Sequence, residues 1–339
     1  MKKISFLVTI ALLSGLFSCQ NEKWEFPDYD YSTVYFPYQT PVRTLVLGDY
    51  LFDNENDNNL KFLISAHLGG MYENLNDHSV EFIIDPDLVN NLKTDVGDTL
   101  KILPSSYYSI SSNQIIIPKG QFYAGCEVQL TDAFLNDTMS YRTHYVLPLR
   151  ITETSLDSIL SGQGNVADPD YRIAGNWSIA PRNYTIFGIK FINPYHGKYL
   201  YRGQSIIKDA GNIAFDTIIY RQRYIERDEI ISLKTSGRNK VTIKSVVRAS
   251  AGSPGALWMD LDFNESTGVC TVTNNPASLF TISGTGTFVK NGDMWGNKER
   301  DAIYLNYQIL VGTDTHTVND TLVIRDRDVR FESFKPVVY

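Results

Sequence analysis

Residues 257–264 alternate without a break: Leu257, Met259, Leu261 and Phe263 on one side, Trp258, Asp260, Asp262 and Asn264 on the other. An apolar residue at every second position marks a strand with one buried face. The same rhythm recurs along the chain in short β-branched and aromatic runs bounded by Gly, Pro, Asn and Asp. In the first half it predicts strands at 33–37, 43–51, 60–67, 79–84, 107–110, 114–117, 126–130 and 144–151. One short helix is predicted over 86–92, with Asp85 as N-cap and Pro86 in the first turn. About seven short strands over roughly 120 residues predict an immunoglobulin-like sandwich.

The second half repeats the rhythm at 185–192, 198–207, 217–226, 240–247, 256–263, 268–273, 279–289, 302–311 and 317–325. From Lys198 onward this gives eight strands in mostly hairpin-like order, a number that can close into a small barrel and remove both edges. Ser283-Gly284-Thr285-Gly286-Thr287 runs within a strand pattern and predicts backbone crowding there. Ser161-Gly162-Gln163-Gly164-Asn165, with Pro169 beyond, has nothing to bury and predicts a linker. The expected fold is all-β: an immunoglobulin-like sandwich over 31–154, a linker over 155–171, and an eight-stranded lipocalin-like barrel over 172–339.

The first residues have a different character. Lys2 and Lys3 precede an apolar stretch to Phe17 that is short for a membrane span and has the form of a secretory signal over 1–18. Leu16-Phe17-Ser18-Cys19 resembles a bacterial lipobox, which implies cleavage before Cys19 and acylation of its thiol. A polar tether over 19–30 then follows. No other segment is apolar enough to span, so the lipid is expected to be the only membrane anchor.

Composition narrows the function. The formal net charge is −7, and no run of five basic residues occurs, which argues against a nucleic-acid partner. The 43% apolar and 20% charged content is that of a globular chain. Twenty-one tyrosines suit strands and wet interfaces. Cys126 shares strand parity with Val128 and Leu130, and Cys270 with Val272, so both thiols are expected to be buried and inert. His67, His78, His144, His196 and His316 fall in no ligand spacing, and neither a nucleophile elbow nor a phosphate loop occurs. Asp260, Asp262 and Asn264 partly resemble a calcium loop, but Glu265 stands where that loop needs Gly. The expectation is no catalysis, no cofactor and no metal.

Longer stretches carry a family resemblance. They are Thr33-Val34-Tyr35-Phe36-Pro37, Tyr107-Tyr108-Ser109-Ile110, residues 115–120, Tyr145-Val146-Leu147-Pro148-Leu149-Arg150-Ile151 and residues 187–199. Together they resemble Bacteroidetes surface lipoproteins of polysaccharide-utilisation loci, with an N-terminal immunoglobulin-like domain of unknown function and a C-terminal lipocalin-like domain. The resemblance implies an outer-membrane, cell-surface protein that captures glycan beside a TonB-dependent importer. The first half also resembles modules fused to family-18 glycosidases. The catalytic acid of those enzymes lies in an Asp-x-x-Asp-x-Asp-x-Glu motif; here, however, Leu257 stands in place of its first Asp, and Glu265 falls one residue late. Five triplets, at Asp98, Asp137, Asp157, Asp216 and Asp320, resemble a Bacteroides O-glycosylation signal.

Glycan binding needs an aromatic plate and polar groups for hydroxyls. Trp258 lies on the polar face of its strand beside Asp260 and Asp262. Trp295 sits in a turn beside Asp293, flanked by Gly and Asn. Tyr220 and Tyr224 share a strand face with Gln222 and Glu226, and Tyr195, Tyr199, Tyr201 and Arg202 form a nearby cluster. The expected activity is non-catalytic glycan binding in the second domain. An adhesion module and a carrier of a small apolar ligand are the alternatives.

Overall fold

The computed structural model describes residues 29–339, so the signal segment and Cys19 lie outside the described residues. The chain is all-β: a two-sheet sandwich followed by a closed eight-stranded antiparallel barrel. In the first sheet the strand order is Ser158–Ile159, Thr33–Tyr35, Lys61–Gly69, Tyr123–Leu130, Tyr108–Ile110. In the second it is Glu332–Ser333, Pro41–Val46, Tyr184–Ile192, Tyr145–Thr154, His78–Ile84, Gln114–Ile117, with Lys101–Ile102 also on Tyr145–Thr154. Every second residue faces the shared core: Phe62, Ile64, Ala66 and Leu68 from one sheet meet Val80, Phe82, Leu147 and Leu149 from the other.

Three boundaries differ from the expected ones. The strand Tyr184–Ile192, expected in the barrel domain, is central to the second sheet, antiparallel to Tyr145–Arg150 and parallel to Val42–Val46. The expected linker is structured: Ser158–Ile159 pairs with Thr33–Val34, and Gln163–Gly164 pairs with Trp177–Ile179. The last residues leave the barrel and return to the sandwich, where Glu332–Ser333 pairs with Pro41–Val42 and Phe334 is buried. The helix expected over 86–92 is a 3-10 turn, Pro86–Val89, with the Asp85 carboxylate accepting the Asp87 N–H. Cys126 and Cys270 are buried free thiols, as expected, and burial pushes their pKa values up to about 11 and about 12.

The barrel runs Gly197–Lys208, Glu229–Gly237, Lys240–Val246, Ala256–Phe263, Val269–Asn274, Thr281–Trp295, Lys298–Val311 and Asp314–Asp326, which closes onto Gly197–Lys208. The count of eight holds, but one member differs. The strand expected at 217–226 ends at Tyr220 and is a ninth strand, Ala214–Tyr220, while Glu229–Gly237 enters the wall. Both pair with the same edge of Gly197–Lys208, one above the other. The turn between them contains no Gly or Pro; the buried Asp228 carboxylate builds it by accepting the Gln222 N–H. The interior is filled by side chains from all eight strands, among them Tyr199, Leu233, Ile243, Leu261, Val272 and Leu305. Gly284 and Gly286 show the expected crowding: a Cβ on Gly286 would stand 2.8 Å from the Cys270 sulfur.

One polar cluster interrupts this core. The Asp320 carboxylate accepts the hydroxyls of Tyr201 at 2.9 Å, Tyr307 at 2.7 Å and Tyr220. Gly203 lies against Asp320 and the Tyr220 hydroxyl, where a Cβ would not fit. The Arg248 guanidinium lies 4.1 Å from the Tyr220 ring centroid and pairs with Glu229.

The two domains are joined by a buried cation. Arg327 is 8% exposed and donates to four backbone carbonyls: His196 at 2.8 Å, Asn193 at 2.7 Å, Asp49 at 2.7 Å and Leu47 at 3.0 Å. Two belong to a sandwich loop and two to the segment entering the barrel. Asn193, fully buried, donates through its side chain to Gly237 and Lys240, fastening the same segment to a barrel hairpin. Gly48, at φ +81°, packs on Pro194, whose Cβ would lie 2.7 Å from any added Cβ.

Truncating Arg327 leaves buried carbonyls without donors. Arg327→Ala is expected to cost roughly 3–5 kcal/mol in urea denaturation, with Arg327→Lys recovering only part; an unchanged midpoint would remove the joint's assigned role. Asp320 gives a second expectation. Desolvation raises its pKa from 3.8 to about 6, against the lowering effect of the three phenols. The stability linked to a carboxyl with a raised folded pKa is complete below its unfolded value and lost as pH rises through the folded one. Wild type should therefore gain on Asp320→Asn by roughly 2 kcal/mol as pH falls from about 7 to about 4. Parallel pH profiles of the two proteins would contradict this.

Candidate functional site

A cleft of about 520 Å³ lies where the sandwich meets the barrel end. One wall is the loop Asp49, Tyr50 and Leu51; the other is built by Asn291, Glu299, Arg300 and Asp301 of a long hairpin and by Arg325 to Val329. The Arg327 joint places the first wall, since its carbonyl partners include Asp49 itself, and Arg327 is part of the second. Lys290 also pairs with the Asp49 carboxylate at 2.7 Å, an exposed contact across the domain boundary that screening keeps weak.

The hairpin extends the strands Thr281–Trp295 and Lys298–Val311 beyond the barrel, with an irregular register between Val289 and Asp293. Asn297 and Gly296, both at positive φ, form its tip. Trp295 pins the hairpin: its indole N–H donates to the Ile324 carbonyl at 2.9 Å. The Arg300 guanidinium stacks over the indole at 4.4 Å from the centroid. Arg300 Nε is buried and makes no hydrogen bond. The cleft is lined by an aromatic residue (Tyr50), by Arg300, whose guanidinium is pre-oriented on Trp295 with its Nε closed to solvent, and by the acidic residues Glu299, Asp301 and Asp326. Such a set can hold a polar ligand that has both apolar faces and hydroxyls.

The expected site residues do not converge. Trp295 stands behind Arg300 and is a support for it rather than a plate facing the cleft. Asp293 is half-buried, and its carboxylate accepts the Met294 N–H at 2.7 Å. Trp258, Asp260 and Asp262 lie on the outer barrel face on other strands than the cleft residues: Asp262 pairs with Lys240 near the joint, and Trp258 lies further along, beside the turn at Asn275. Their alternation is as expected, with Leu257, Met259, Leu261 and Phe263 inside. Asp260, expected as a hydroxyl acceptor, is buried and already engaged by Lys240 at 2.9 Å, Thr242 at 2.6 Å and Asn275 at 2.8 Å. The Lys244 ammonium covers Trp258 at 5.0 Å from the ring centroid. Tyr220 and Tyr224 do not share a strand: Tyr220 belongs to the Asp320 cluster, and Tyr224 is exposed on the following turn, flanked by Arg223 and Arg227. Tyr195, Tyr199 and Tyr201 are buried in the core, while Arg202 points outward to Asp228.

Sequence reasoning missed Tyr50, Arg300, Glu299 and Asp301. The available signals were the run Tyr50-Leu51-Phe52 between Asp49 and Asp53, and the charged Lys298-Glu299-Arg300-Asp301 after the turn. Of the Asp-(Ser/Thr) triplets, Thr99 and Thr138 are exposed in turns, whereas Asp320 is buried and structural. Among the described residues no group of three or more His, Cys, Asp or Glu could hold a metal ion, and no helix is long and apolar enough to cross a membrane.

Comparison with known proteins adds family but not activity. The family model DUF5627, a domain of unknown function, matches residues 194–328, and a model described as "-like, N-terminal domain" matches residues 29–158. No curated protein matches the chain. A Bacteroides ovatus multidomain protein including DUF1735 aligns at 13% identity and TM-score 0.43, over 89% of this chain and 99% of that one. Another Bacteroides ovatus protein of unknown function aligns at 14% identity and TM-score 0.42, over 89% and 99%. A third, a Bacteroides ovatus structural-genomics protein of unknown function, is 37% identical with a TM-score of 0.85, over 92% of this chain and all of that one. At that identity over nearly the whole chain, the protein belongs to the same family as this Bacteroides ovatus protein of unknown function.

Proposed function

We propose that the protein binds glycan without catalysis, in the cleft between the sandwich and the barrel end. The observation that carries this is Arg300, its guanidinium fixed on Trp295, in a polar cleft that Tyr50 also lines. A sugar ring supplies an acceptor for the guanidinium, hydroxyls for Glu299 and Asp301, and an apolar face for the tyrosine. The filled barrel leaves the cleft, rather than the interior, to hold a ligand. The lipobox-like Leu16-Phe17-Ser18-Cys19 supports anchoring through Cys19 at the outer surface, and the family resemblance supports a place beside a TonB-dependent importer.

One observation favours the adhesion alternative. Leu51 and Phe52, at the cleft mouth, are 84% and 67% exposed. Burying each against a protein would be worth roughly 1.5–3 kcal/mol. Affinity electrophoresis against a polysaccharide panel separates the two readings. Glycan binding predicts retardation of wild type that falls about tenfold in Arg300→Ala and in Tyr50→Ala and is kept in Phe52→Ser. Retardation unchanged in both cleft variants would reject the site. Absence of retardation, with loss of a pulled-down outer-membrane protein in Phe52→Ser, would favour adhesion. Cys19→Ser is expected to move the protein from the membrane to the soluble fraction.

A further inference from the structure

The outer wall of the barrel carries a second surface, away from the cleft. Across three neighbouring strands, Thr281–Trp295, Lys298–Val311 and Asp314–Asp326, the register sets Thr285, Asn306 and Asn319 in one row and Thr287, Tyr304 and Thr321 in the next. These six, together with Gly286, Leu305 and the buried Asp320 between them, line a shallow depression of about 360 Å³. The outward positions from Ser283 to Thr287, Tyr304 to Gln308 and Thr317 to Thr321 carry no charge, in a chain with 20% charged residues. The side chains of Thr285, Asn306, Asn319 and Thr321 make no hydrogen bond within the described residues. Tyr304 is 38% exposed, and its ring is held because the hydroxyl donates to the Gly292 carbonyl at 2.6 Å.

We infer that this face is a second binding surface, for an extended neutral polysaccharide. Uncharged hydroxyl and amide groups repeat at the strand spacing of about 4.8 Å along each row. They match a polymer whose own surface is a repeat of neutral hydroxyls, and they offer no positive charge to a carboxylate or a phosphate. Short Thr and Asn side chains lose little rotamer freedom on contact compared with Lys or Glu, and a fixed tyrosine supplies the apolar plate. The backbone beneath is barrel wall, so the surface is preformed. This inference stands apart from the cleft: either surface can bind without the other.

The test uses the whole protein in affinity gels containing a soluble β-glucan, a galactomannan or polygalacturonate, with hydrogen exchange measured on the complex. The expected result is retardation by a neutral polymer, slowed exchange within 281–289 and 302–321, and no retardation by polygalacturonate. Asn306→Lys is expected to weaken retardation about tenfold and Asn306→Ser less than about twofold, both with wild-type melting temperatures, while Arg300→Ala leaves this exchange footprint in place. Wild-type retardation in Asn306→Lys overturns the inference, as does a preference for polygalacturonate or no retardation by any neutral polymer. Loss in Arg300→Ala with none in Asn306→Lys retains the cleft and removes this surface; the reverse removes the cleft alone.

Discussion

A guanidinium whose donors go to backbone carbonyls holds the two domains together. Arg327 is buried among the carbonyls of Leu47, Asp49, Asn193 and His196, and burial lowers its pKa from the usual arginine value. Only arginine offers enough donors in a fixed fork to meet four such acceptors and stay charged when desolvated. His196, whose carbonyl is one of the four, is itself pushed down to about 4, first by burial and then by Arg327, so the joint has one charge and not two. The consequences run outward. The cation fixes the loop carrying Tyr50 against the barrel, while the hairpin carrying Arg300 is held by the Trp295–Ile324 hydrogen bond, so each wall of the cleft has its own tie.

The barrel solves a different problem with the same economy of charge. Two strands, Ala214–Tyr220 and Glu229–Gly237, share one edge of Gly197–Lys208, so the wall changes partner partway up. At that level the interior holds Asp320 and its three phenols instead of aliphatic side chains. Leaving a carboxylate unpartnered there would cost several kcal/mol. Three hydroxyl donors and the nearby Arg248 reduce that cost without removing it, and desolvation still dominates the carboxyl's raised pKa. Gly203 supplies the space, so a residue with no side chain is what lets the cluster form.

How much of this was legible depended on whether the signal was local. The alternation in 257–263 stood in the sequence because one strand has one buried face, and the structure keeps it. The strand Glu229–Gly237 was missed because the turn before it has no Gly or Pro; Asp228 makes that turn through a side-chain contact with Gln222. Tyr184–Ile192 was placed in the wrong domain because its neighbours lie far along the chain and one pairing is parallel, which no turn announces. Arg327 was invisible because its partners are backbone carbonyls, which any residue can supply. At the site, the Gly-Asn turn marked Trp295, yet whether a tryptophan faces ligand or supports an arginine is decided by Ile324 and Arg300, one strand away. Trp258 and Asp260 looked free because their partners, Lys244 and Lys240, are on the neighbouring strand.

The packed interior bears on where a ligand can sit. An eight-stranded barrel is wide enough either to be filled by side chains or to hold one small ligand. Here Tyr199, Leu233, Ile243, Leu261 and Leu305 occupy the centre. A carrier of a small apolar ligand would need that volume, and opening it would mean removing aromatic and branched side chains that stabilise the closed wall by roughly 1.5–3 kcal/mol each. Concave surface with free polar groups is found instead where the two domains meet and along the outer strands. Both are rigid for the same reason: their backbone is already committed, to the Arg327 joint in one case and to the barrel ladder in the other. A surface fixed before its ligand arrives spends less of the contact energy on ordering itself. That preorganisation links the filled core to the proposed binding role.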